Sequence, residues 1–386
     1  MTRNGAAVRL AAYYALLFAA VGIHLPFWPL WLADSGMSAA QIGVLGAAAY
    51  LARALVNPLV GAVADRRGDR RRPMLMLMAA ATLAWTLFAA VDGFPAILAV
   101  TIVASGLWAG VMPVGESLAL MAAGHWHIDY GRLRLWGSAA FILAAIGTGH
   151  LLLHARPWVL VWLIALCLAA TAMVCAGLPD LRAPAATVRP AAWRPLLTSR
   201  PFLLFLACAG LNLAAHTVYY SFATLHWRAA GIADDAIGLL WSEGVVAEIV
   251  LFAASGWVVR RLGPGGLLLA AGIGGILRWL ALASTTWLPA LAVAQVLHAA
   301  TFGCGHLGAM HFLSRAVPPG LGVRAQGLFA TVAAGLLPGL TSLFTGWLYQ
   351  RLGGGAFVAM AGLSLGSALA GRALLTCWHG GKVVEG

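Results

Sequence analysis

The ionisable side chains that fall inside long apolar runs of this 386-residue sequence include Arg53, Glu243, Glu248, Arg278 and His298. Each charged one would cost about 2.5–3.5 kcal/mol at the centre of a bilayer unless it were paired or faced water. A planar guanidinium can bind a carboxylate with two parallel hydrogen bonds, and an imidazole can exchange a proton near neutral pH. The set therefore indicates a buried site for an anion and a proton. A purely structural group of buried ion pairs is the alternative.

An internal repeat relates two of these residues. Residues 27–68 are echoed 195 positions later, at 222–263, and shared glycines fall at turns between apolar runs. Arg53 and Glu248 hold equivalent positions in the two copies, so we expect them to face each other across a pseudo-two-fold axis. Two repeated membrane halves with a site near the bilayer midplane are typical of secondary transporters. The matched turn glycines are Gly36 with Gly231 and Gly68 with Gly263.

Apolar runs must supply the helices that position these side chains. The sequence is 62% hydrophobic and 9% charged, which excludes a soluble protein. It predicts an all-α integral membrane protein of twelve transmembrane helices in two pseudo-two-fold-related six-helix bundles. The bundles are residues 1–178 and 201–386, joined by a polar, proline-rich linker at 179–200. The predicted spans are 9–32, 40–63, 73–93, 95–121, 132–154, 158–178, 201–227, 235–259, 264–283, 287–313, 325–347 and 353–377.

The positive charge of the chain is concentrated on one predicted side of the membrane. Of the 24 Lys and Arg, only Arg156, Arg228 and Arg351 fall in the odd-numbered connections. The positive-inside rule then places both termini in the cytoplasm. The formal net charge of +12 is therefore a topology signal, which disfavours nucleic acid as a partner and leaves the lipid bilayer.

Two patterns that resemble enzyme motifs fall inside predicted helices. Residues 303–308 fit GxGxxG without a strand-to-helix turn, and residues 362–366 fit GxSxG without a strained turn. The five cysteines have no CxxC spacing. We therefore predict no enzyme, no catalytic residue, no metal and no cofactor. A signalling receptor is disfavoured because the sequence contains no soluble sensing or output domain.

Three segments carry a resemblance to a known family: Leu25–Leu32, Asp129–Ser138 and Trp241–Glu248. They resemble the phenylpropionate permease branch of the major facilitator superfamily and, more distantly, lactose permease and the oligosaccharide/proton symporters. The connection between the second and third predicted helices resembles the signature loop of that superfamily. The resemblance implies a conformational role for Gly61, Asp65, Arg66 and Gly68.

The resemblance also implies roles for individual residues. Glu116 and Arg134 match the sugar-binding glutamate and arginine of lactose permease, which makes them substrate contacts; an interhelical salt bridge is the alternative. Arg278 and His298 match the arginine and histidine of that family's coupling site. The other candidate substrate contacts are Arg53, His24, Trp28 and His216.

Two departures from the family pattern bear on proton coupling. The glutamate that follows the coupling histidine by three residues is Thr301 here, and an aspartate of the seventh helix is His216. Proton symport then needs another carboxylate. We rank Glu248 before Glu243 as this acid, because the phenylpropionate branch has a glutamate that matches Glu248.

The sequence thus predicts an alternating-access transporter, which we expect to be a monomer. The family resemblance implies the bacterial inner membrane as its location. Its expected partners are a proton and a small aromatic or other organic monocarboxylate resembling 3-phenylpropionate. A proton-coupled sugar or nucleoside symporter and a drug exporter of the same fold are the alternatives.

Overall fold

The computed structural model describes residues 1–182 and 194–384, apart from the side chains of Asp65 and Pro319. All regular secondary structure in these ranges is helical. The helices of the first half are α1 Arg3–Asp34, α2 Ala39–Arg67, α3 Arg71–Thr86, α4 Phe94–Ala109, α5 Val111–Trp126, α6 Tyr130–Leu152 and α7 Val159–Ala176. Those that follow are α8 Arg194–Thr198, α9 Arg200–Ala214, α10 Thr217–Ala229, α11 Asp234–Ala253, α12 Ser255–Ser284, α13 Leu288–Val296, α14 Gly305–Ala316, α15 Gly322–Leu328, α16 Leu337–Leu352 and α17 Ala356–Cys377. Two π-helical segments, Ala299–Cys304 and Phe329–Leu336, lead into α14 and α16.

Eleven helical stretches among the described residues are long and apolar enough to cross a membrane. The last of them, Gly322–Cys377, has 56 residues. As one helix it would measure about 84 Å, against about 30 Å for the hydrocarbon core of a bilayer. Gly353 interrupts it with a φ of 53°, so this stretch supplies two spans. The described residues thus contain twelve spans, and the predicted all-α membrane fold is confirmed.

Local sequence signals set several helix ends. Ser38 and Gln41 form a reciprocal capping box at the start of α2. At the start of α6, the side chain of Asp129 accepts a hydrogen bond from the backbone N–H of Arg132. Gly68 ends α2 in the left-handed conformation, which a residue without a Cβ adopts readily.

The backbone repeats at the glycines that the sequence repeat had matched. Gly36 and Gly231 have φ values of 79° and 86°, and Gly68 and Gly263 have values of 66° and 63°. All four lie in the left-handed region. The predicted turns at these glycines are therefore confirmed, and the break at Gly263 falls inside α12, between the predicted spans 235–259 and 264–283.

Contacts within the chain divide it into two compact units: Met1–Val188 with Ala233–Ser242, and Arg189–Ile232 with Glu243–Gly386. The start of α11 groups with the first unit because it packs closely on α6: a Cβ on Gly238 would lie 2.5 Å from the carbonyl oxygen of Ala145. The predicted bundle limits at 178 and 201 stay a prediction. The linker predicted at 179–200 includes residues 183–193, which lie outside the described ranges.

Small residues bring the helices of each unit close together. In the first unit, a Cβ on Gly22 of α1 would lie 2.5 Å from the carbonyl oxygen of Phe141 in α6. In the second, a Cβ on Gly272 of α12 would lie 2.6 Å from the backbone nitrogen of Ala368 in α17. Close helix approach at glycine is typical of membrane proteins.

The GxSxG pattern also belongs to helix packing. Its serine, Ser364, is 0% exposed in α17. Ser364 Oγ accepts a hydrogen bond from Trp279 Nε1 at 3.0 Å. This serine therefore joins α17 to α12.

Candidate functional site

A carboxylate held by two tyrosines forms the polar centre of the first unit. Glu116 of α5 accepts hydrogen bonds on Oε2 from the hydroxyl groups of Tyr14, at 3.0 Å, and of Tyr130. Its other oxygen, Oε1, lies 3.8 Å from Arg134 Nε of α6. These four residues are called the first-unit cluster below. The structure thus brings the predicted pair Glu116 and Arg134 together, and it adds two tyrosines that the sequence analysis missed.

The guanidinium of Arg134 lies over an aromatic face. Its Cζ is 3.9 Å from the centre of the Phe18 ring. Gly137, one turn along α6, leaves room for it, because a Cβ there would lie 3.1 Å from Arg134 Nη1. The side chain of Arg134 is 35% exposed and that of Glu116 is 27% exposed. An accessible guanidinium with a planar ring beneath it can bind a planar anion.

A fully buried arginine forms the polar centre of the second unit. Arg278 of α12 is 0% exposed. Its Nη2 donates to Gln295 Oε1 at 2.6 Å, and its Nη1 donates to His298 Nδ1 at 3.0 Å and to Thr301 Oγ1 at 3.2 Å. These four residues, with Glu248, are called the second-unit cluster below. Gln295, His298 and Thr301 offer uncharged acceptors here, so contact with these three does not neutralise the charge of Arg278.

The hydrogen bonds of His298 determine its tautomer. An arginine can only donate, so His298 Nδ1 accepts from Arg278 and carries no proton. His298 Nε2 then carries the proton, and it lies 3.7 Å from Glu248 Oε2. A second proton on His298 would break its bond with Arg278. Glu248 can take up a proton without disturbing that bond.

One face of α11, the helix that contains Glu248, packs against His298. Gly244 and Glu248 are four residues apart in α11 and share this face. A Cβ on Gly244 would lie 3.3 Å from His298 Cβ. Glu243 is half-buried on the same helix, and it forms no ion pair within the described ranges. The structure therefore places Glu248, and not Glu243, against the predicted coupling histidine.

His216 joins the second-unit cluster through Thr301. His216 Nε2 lies 3.2 Å from Thr301 Oγ1, and His216 Nδ1 donates to the Asn212 carbonyl at 2.8 Å. Asn212 Nδ2 in turn donates to the Thr301 carbonyl at 2.9 Å. Thr301 lies in the first π-helical segment, and such segments are frequent at functional sites.

Three residues of this region were missed by the sequence analysis. Gln295 Nε2 donates to the Tyr219 hydroxyl at 2.9 Å, and the Tyr219 ring lies 4.5 Å from the guanidinium carbon of Arg278. Asn212 was also missed. The available signal for Asn212 and Gln295 was an uncharged amide within an apolar run, which a search for ionisable residues overlooks.

His24 and Trp28 lie in an aromatic cluster of the first unit. The His24 ring stacks on Trp28 at 5.8 Å and meets Trp85 and Trp108 edge-on at 5.4 Å and 5.3 Å, measured between ring centres. Arg53 is exposed on α2 and lies within electrostatic range of His24. Three of the predicted substrate contacts therefore share one region of the first unit. The pairing of Arg53 with Glu248 stays a prediction.

Hydrogen bonds of Asp69 and Arg70 stabilise the connection between α2 and α3. Both residues directly follow Gly68, the last of the predicted loop residues. Asp69 Oδ1 accepts a hydrogen bond from the Arg72 backbone N–H at 3.3 Å. Arg70 is 6% exposed, and it donates to the Gly68 carbonyl and to Ser117 Oγ, each at 3.1 Å. The arginine therefore joins this connection to α5.

The predicted loop residues differ in their surroundings. Gly68 supplies the left-handed turn, and Arg66 is exposed. A Cβ on Gly61 would meet no described atom within 4 Å, so no described helix packs closely on Gly61 in this conformation. The side chain of Asp65 lies outside the described part of the chain. Within that part, no three His, Cys, Asp or Glu residues are grouped to hold a metal ion.

Comparison with known proteins places this arrangement among membrane transporters. Residues 7–359 match the profile of the MFS_1 like family. The chain is 34% identical over 364 residues to an Escherichia coli (strain K12) protein described as "Probable 3-phenylpropionic acid transporter", covering 92% of this chain and 94% of that protein. It is 28% identical to the maltose permease of Geobacillus stearothermophilus, covering 90% and 89% of the two chains. A crystal structure of the nucleoside transporter NupG matches with a TM-score of 0.79 at 17% identity, covering 96% of this chain and 99% of that one.

Proposed function

We propose, since this chain belongs to the MFS_1 like family of membrane transporters, that it carries a small aromatic or other organic monocarboxylate together with a proton. The proteins that this chain matches are transporters. The chain is likewise a multi-pass membrane transporter and not an enzyme. The name of the relative from Escherichia coli supports an aromatic acid as the substrate class. We place the protein in the bacterial inner membrane as a monomer, with both termini in the cytoplasm.

The observation that carries this proposal is the position of Arg134 over Phe18. The guanidinium is partly exposed, and its one ion pair among the described residues, to Glu116 at 3.8 Å, is longer than a hydrogen bond. A carboxylate can therefore approach Arg134 and form two parallel hydrogen bonds with it. The ring of Phe18, 3.9 Å below the guanidinium carbon, offers an apolar surface to an aromatic solute. Glu116 is held in place by Tyr14 and Tyr130 while Arg134 changes partner.

Glu248 is the acid that we assign to the coupling proton. It lies beside the Nε2–H of His298, and His298 is bonded to Arg278 through its other nitrogen. Glu248, His298 and Arg278 are in contact one after the other. A proton on Glu248 removes the negative charge of this group, so the positive charge of buried Arg278 is then less compensated. Binding of the proton can thereby favour one conformation over another. His298 and His216 act here as positioning residues.

A sugar or nucleoside as the solute is the second candidate. In the first-unit cluster, Glu116 accepts hydrogen bonds from the hydroxyl groups of Tyr14 and Tyr130. The hydroxyl groups of a sugar can replace these donors, and this favours the second candidate. The names of the maltose permease and of NupG agree with this alternative. The two candidates differ in the charge of the solute, so a transport assay separates them.

Uptake into proteoliposomes tests the proposal. Labelled 3-phenylpropionate, maltose and uridine are supplied outside vesicles, with and without a pH gradient that is acid outside. We expect accumulation of 3-phenylpropionate that requires the gradient, and no accumulation of the other two. Protein-free vesicles are an essential control, because the neutral form of an aromatic acid crosses bilayers unaided. Accumulation of maltose or uridine in place of the acid would contradict the proposed substrate class.

A further inference from the structure

A groove runs between α2 and α3 of the first unit, and no residue of the first-unit cluster lines it. Its volume is about 560 Å³. Apolar side chains of Leu59, Val63 and Met76 line its wall, and they are 66%, 46% and 68% exposed. Side chains of this kind on a membrane-spanning helix face hydrocarbon.

The end of this groove is basic. Its described lining residues include the guanidinium groups of Arg67, Arg72 and Arg182 and one carboxylate, that of Asp69. Asp69 Oδ2 lies 3.7 Å from Arg72 Nε, and Asp180 Oδ1 lies 3.6 Å from Arg182 Nε. Each carboxylate offsets part of the charge of one arginine. Arg67 and Arg182 are exposed. The groove end therefore presents an excess of positive charge directly beside an apolar wall.

The chain holds this end in a fixed shape. Gly68 turns the backbone, and buried Arg70 ties the turn to α5 through Ser117. Arg67 and Arg72 are consequently held on opposite sides of the turn, at the end of α2 and the start of α3. Two guanidinium groups that extend from a fixed backbone turn suit a phosphate oxygen, which accepts strong, charge-assisted hydrogen bonds.

We propose that this groove binds an anionic phospholipid, with its phosphate at Arg67, Arg72 and Arg182 and an acyl chain along Leu59, Val63 and Met76. The positive-inside rule places the basic end at the cytoplasmic surface, where anionic headgroups attract basic segments next to a membrane helix. The charge of the groove end selects an anionic lipid over a zwitterionic one. The apolar wall selects a lipid over a soluble phosphate. This site goes beyond the proposed transport function and does not depend on it.

The test is lipid binding to the purified full-length protein in detergent. Dioleoylphosphatidylglycerol and dioleoylphosphatidylcholine are titrated separately, and bound lipid is counted by native mass spectrometry. We expect a preference for phosphatidylglycerol that weakens roughly five-fold for each of the changes Arg67→Ala, Arg72→Ala and Arg182→Ala. Arg66→Ala is the matched control, since Arg66 is exposed at the same helix end and does not line the groove. An equal loss in the control would overturn the proposal, as would binding that does not distinguish the two lipids.

A second pair of variants tests the apolar wall. Val63→Trp fills the groove and should weaken phosphatidylglycerol binding several-fold. Leu55→Trp, on the same helix but outside the groove, should leave it unchanged; Leu55 is 69% exposed. Soluble sn-glycerol 3-phosphate should compete poorly with the lipid. If it competed as well as the lipid did, or if Val63→Trp had no effect, the site would be one for a phosphate group alone and the lipid assignment would be wrong.

Discussion

Arg134 and Arg278 carry the same side chain in opposite surroundings. Arg278 is 0% exposed, and its terminal nitrogens donate to Gln295, His298 and Thr301. The side chain of Arg134 is 35% exposed, and its one ion pair among the described residues is 3.8 Å long. A buried arginine with three hydrogen bonds keeps its geometry, whereas an accessible one with a long ion pair can change partner at low cost. This contrast is why we assign the solute carboxylate to Arg134.

Arg134→Lys should weaken binding of 3-phenylpropionate about ten-fold or more, because a hydrogen bond to a charged group contributes about 1.5–3 kcal/mol and lysine cannot offer two in parallel. The dissociation constant can be measured by titration calorimetry. Arg132→Lys, two residues away on the same helix and exposed, is the control and should bind as the unmodified protein does. Unchanged affinity in Arg134→Lys would remove this residue from the contact surface.

Glu248→Gln should separate solute movement from proton coupling. Glutamine has nearly the same shape as glutamate and keeps an oxygen facing His298 Nε2, but it cannot bind or release a proton. We expect the variant to keep solute exchange in proteoliposomes with equal pH on both sides, and to lose accumulation driven by a pH gradient. Glu243→Gln, on the same helix without an ion pair among the described residues, should keep both activities. If Glu248→Gln still accumulated solute, the coupling acid would be sought at Glu243 or His298.

The π-helical segment 299–304 places the hydroxyl group of Thr301 between Arg278 and His216 of the second unit. Thr301 Oγ1 meets Arg278 Nη1 and His216 Nε2, each at 3.2 Å. Thr301→Val keeps the shape of the side chain and leaves both partners short of one hydrogen bond. We expect a loss of about 1–3 kcal/mol in stability, seen as a lower melting temperature. Thr345→Val is the control: Thr345 is also 0% exposed, but its hydroxyl donates to the carbonyl of Ser342, one turn away in the same helix. Equal melting temperatures for the two variants would show that the segment does not depend on Thr301.

The end of α2 depends on a single glycine. Gly68 has a φ of 66°, and a residue with a Cβ pays about 1–2 kcal/mol in that conformation. Gly68→Ala should therefore lower the melting temperature. Gly61→Ala should raise it slightly, since Gly61 lies inside α2 and a Cβ there meets no described atom within 4 Å. A loss of stability in Gly61→Ala would mean that α2 packs closely at Gly61 after all.

The parts of this fold that follow from local sequence were predictable, and those that depend on packing were not. Apolar runs and turn glycines such as Gly36 and Gly231 fixed the number and order of the spans. The sequence contains no local pattern that predicts the π-helical segments, because the wider turn depends on packing against neighbouring helices. Tyr14 and Tyr130 were overlooked for a similar reason. A tyrosine in or beside an apolar run has the same composition signal whether its hydroxyl binds a carboxylate or lies at a membrane surface.

At the scale of the whole molecule, the backbone repeats but the polar chemistry does not. At the same 195-residue offset that relates the turn glycines, Arg278 corresponds to Leu83 and His298 to Val103. Likewise, Glu116 corresponds to His311, and Arg134 to Phe329. Each unit therefore has its own polar cluster, although the two units share a repeated helical backbone. Such a division suits a transporter in which one cluster holds the solute and the other responds to a proton.

The placement of basic residues predicts the orientation of the whole chain, with both termini in the cytoplasm. Asp92 lies in the connection between α3 and α4, and His379 follows α17; both are exposed. A cysteine introduced by Asp92→Cys should therefore react with a membrane-impermeant maleimide in intact cells, whereas one introduced by His379→Cys should react only after the membrane is permeabilised. The unmodified protein supplies the background, which we expect to be low because its five cysteines are buried or half-buried. Labelling of His379→Cys in intact cells would reverse the orientation, and it would also move the basic end of the α2–α3 groove to the outer surface.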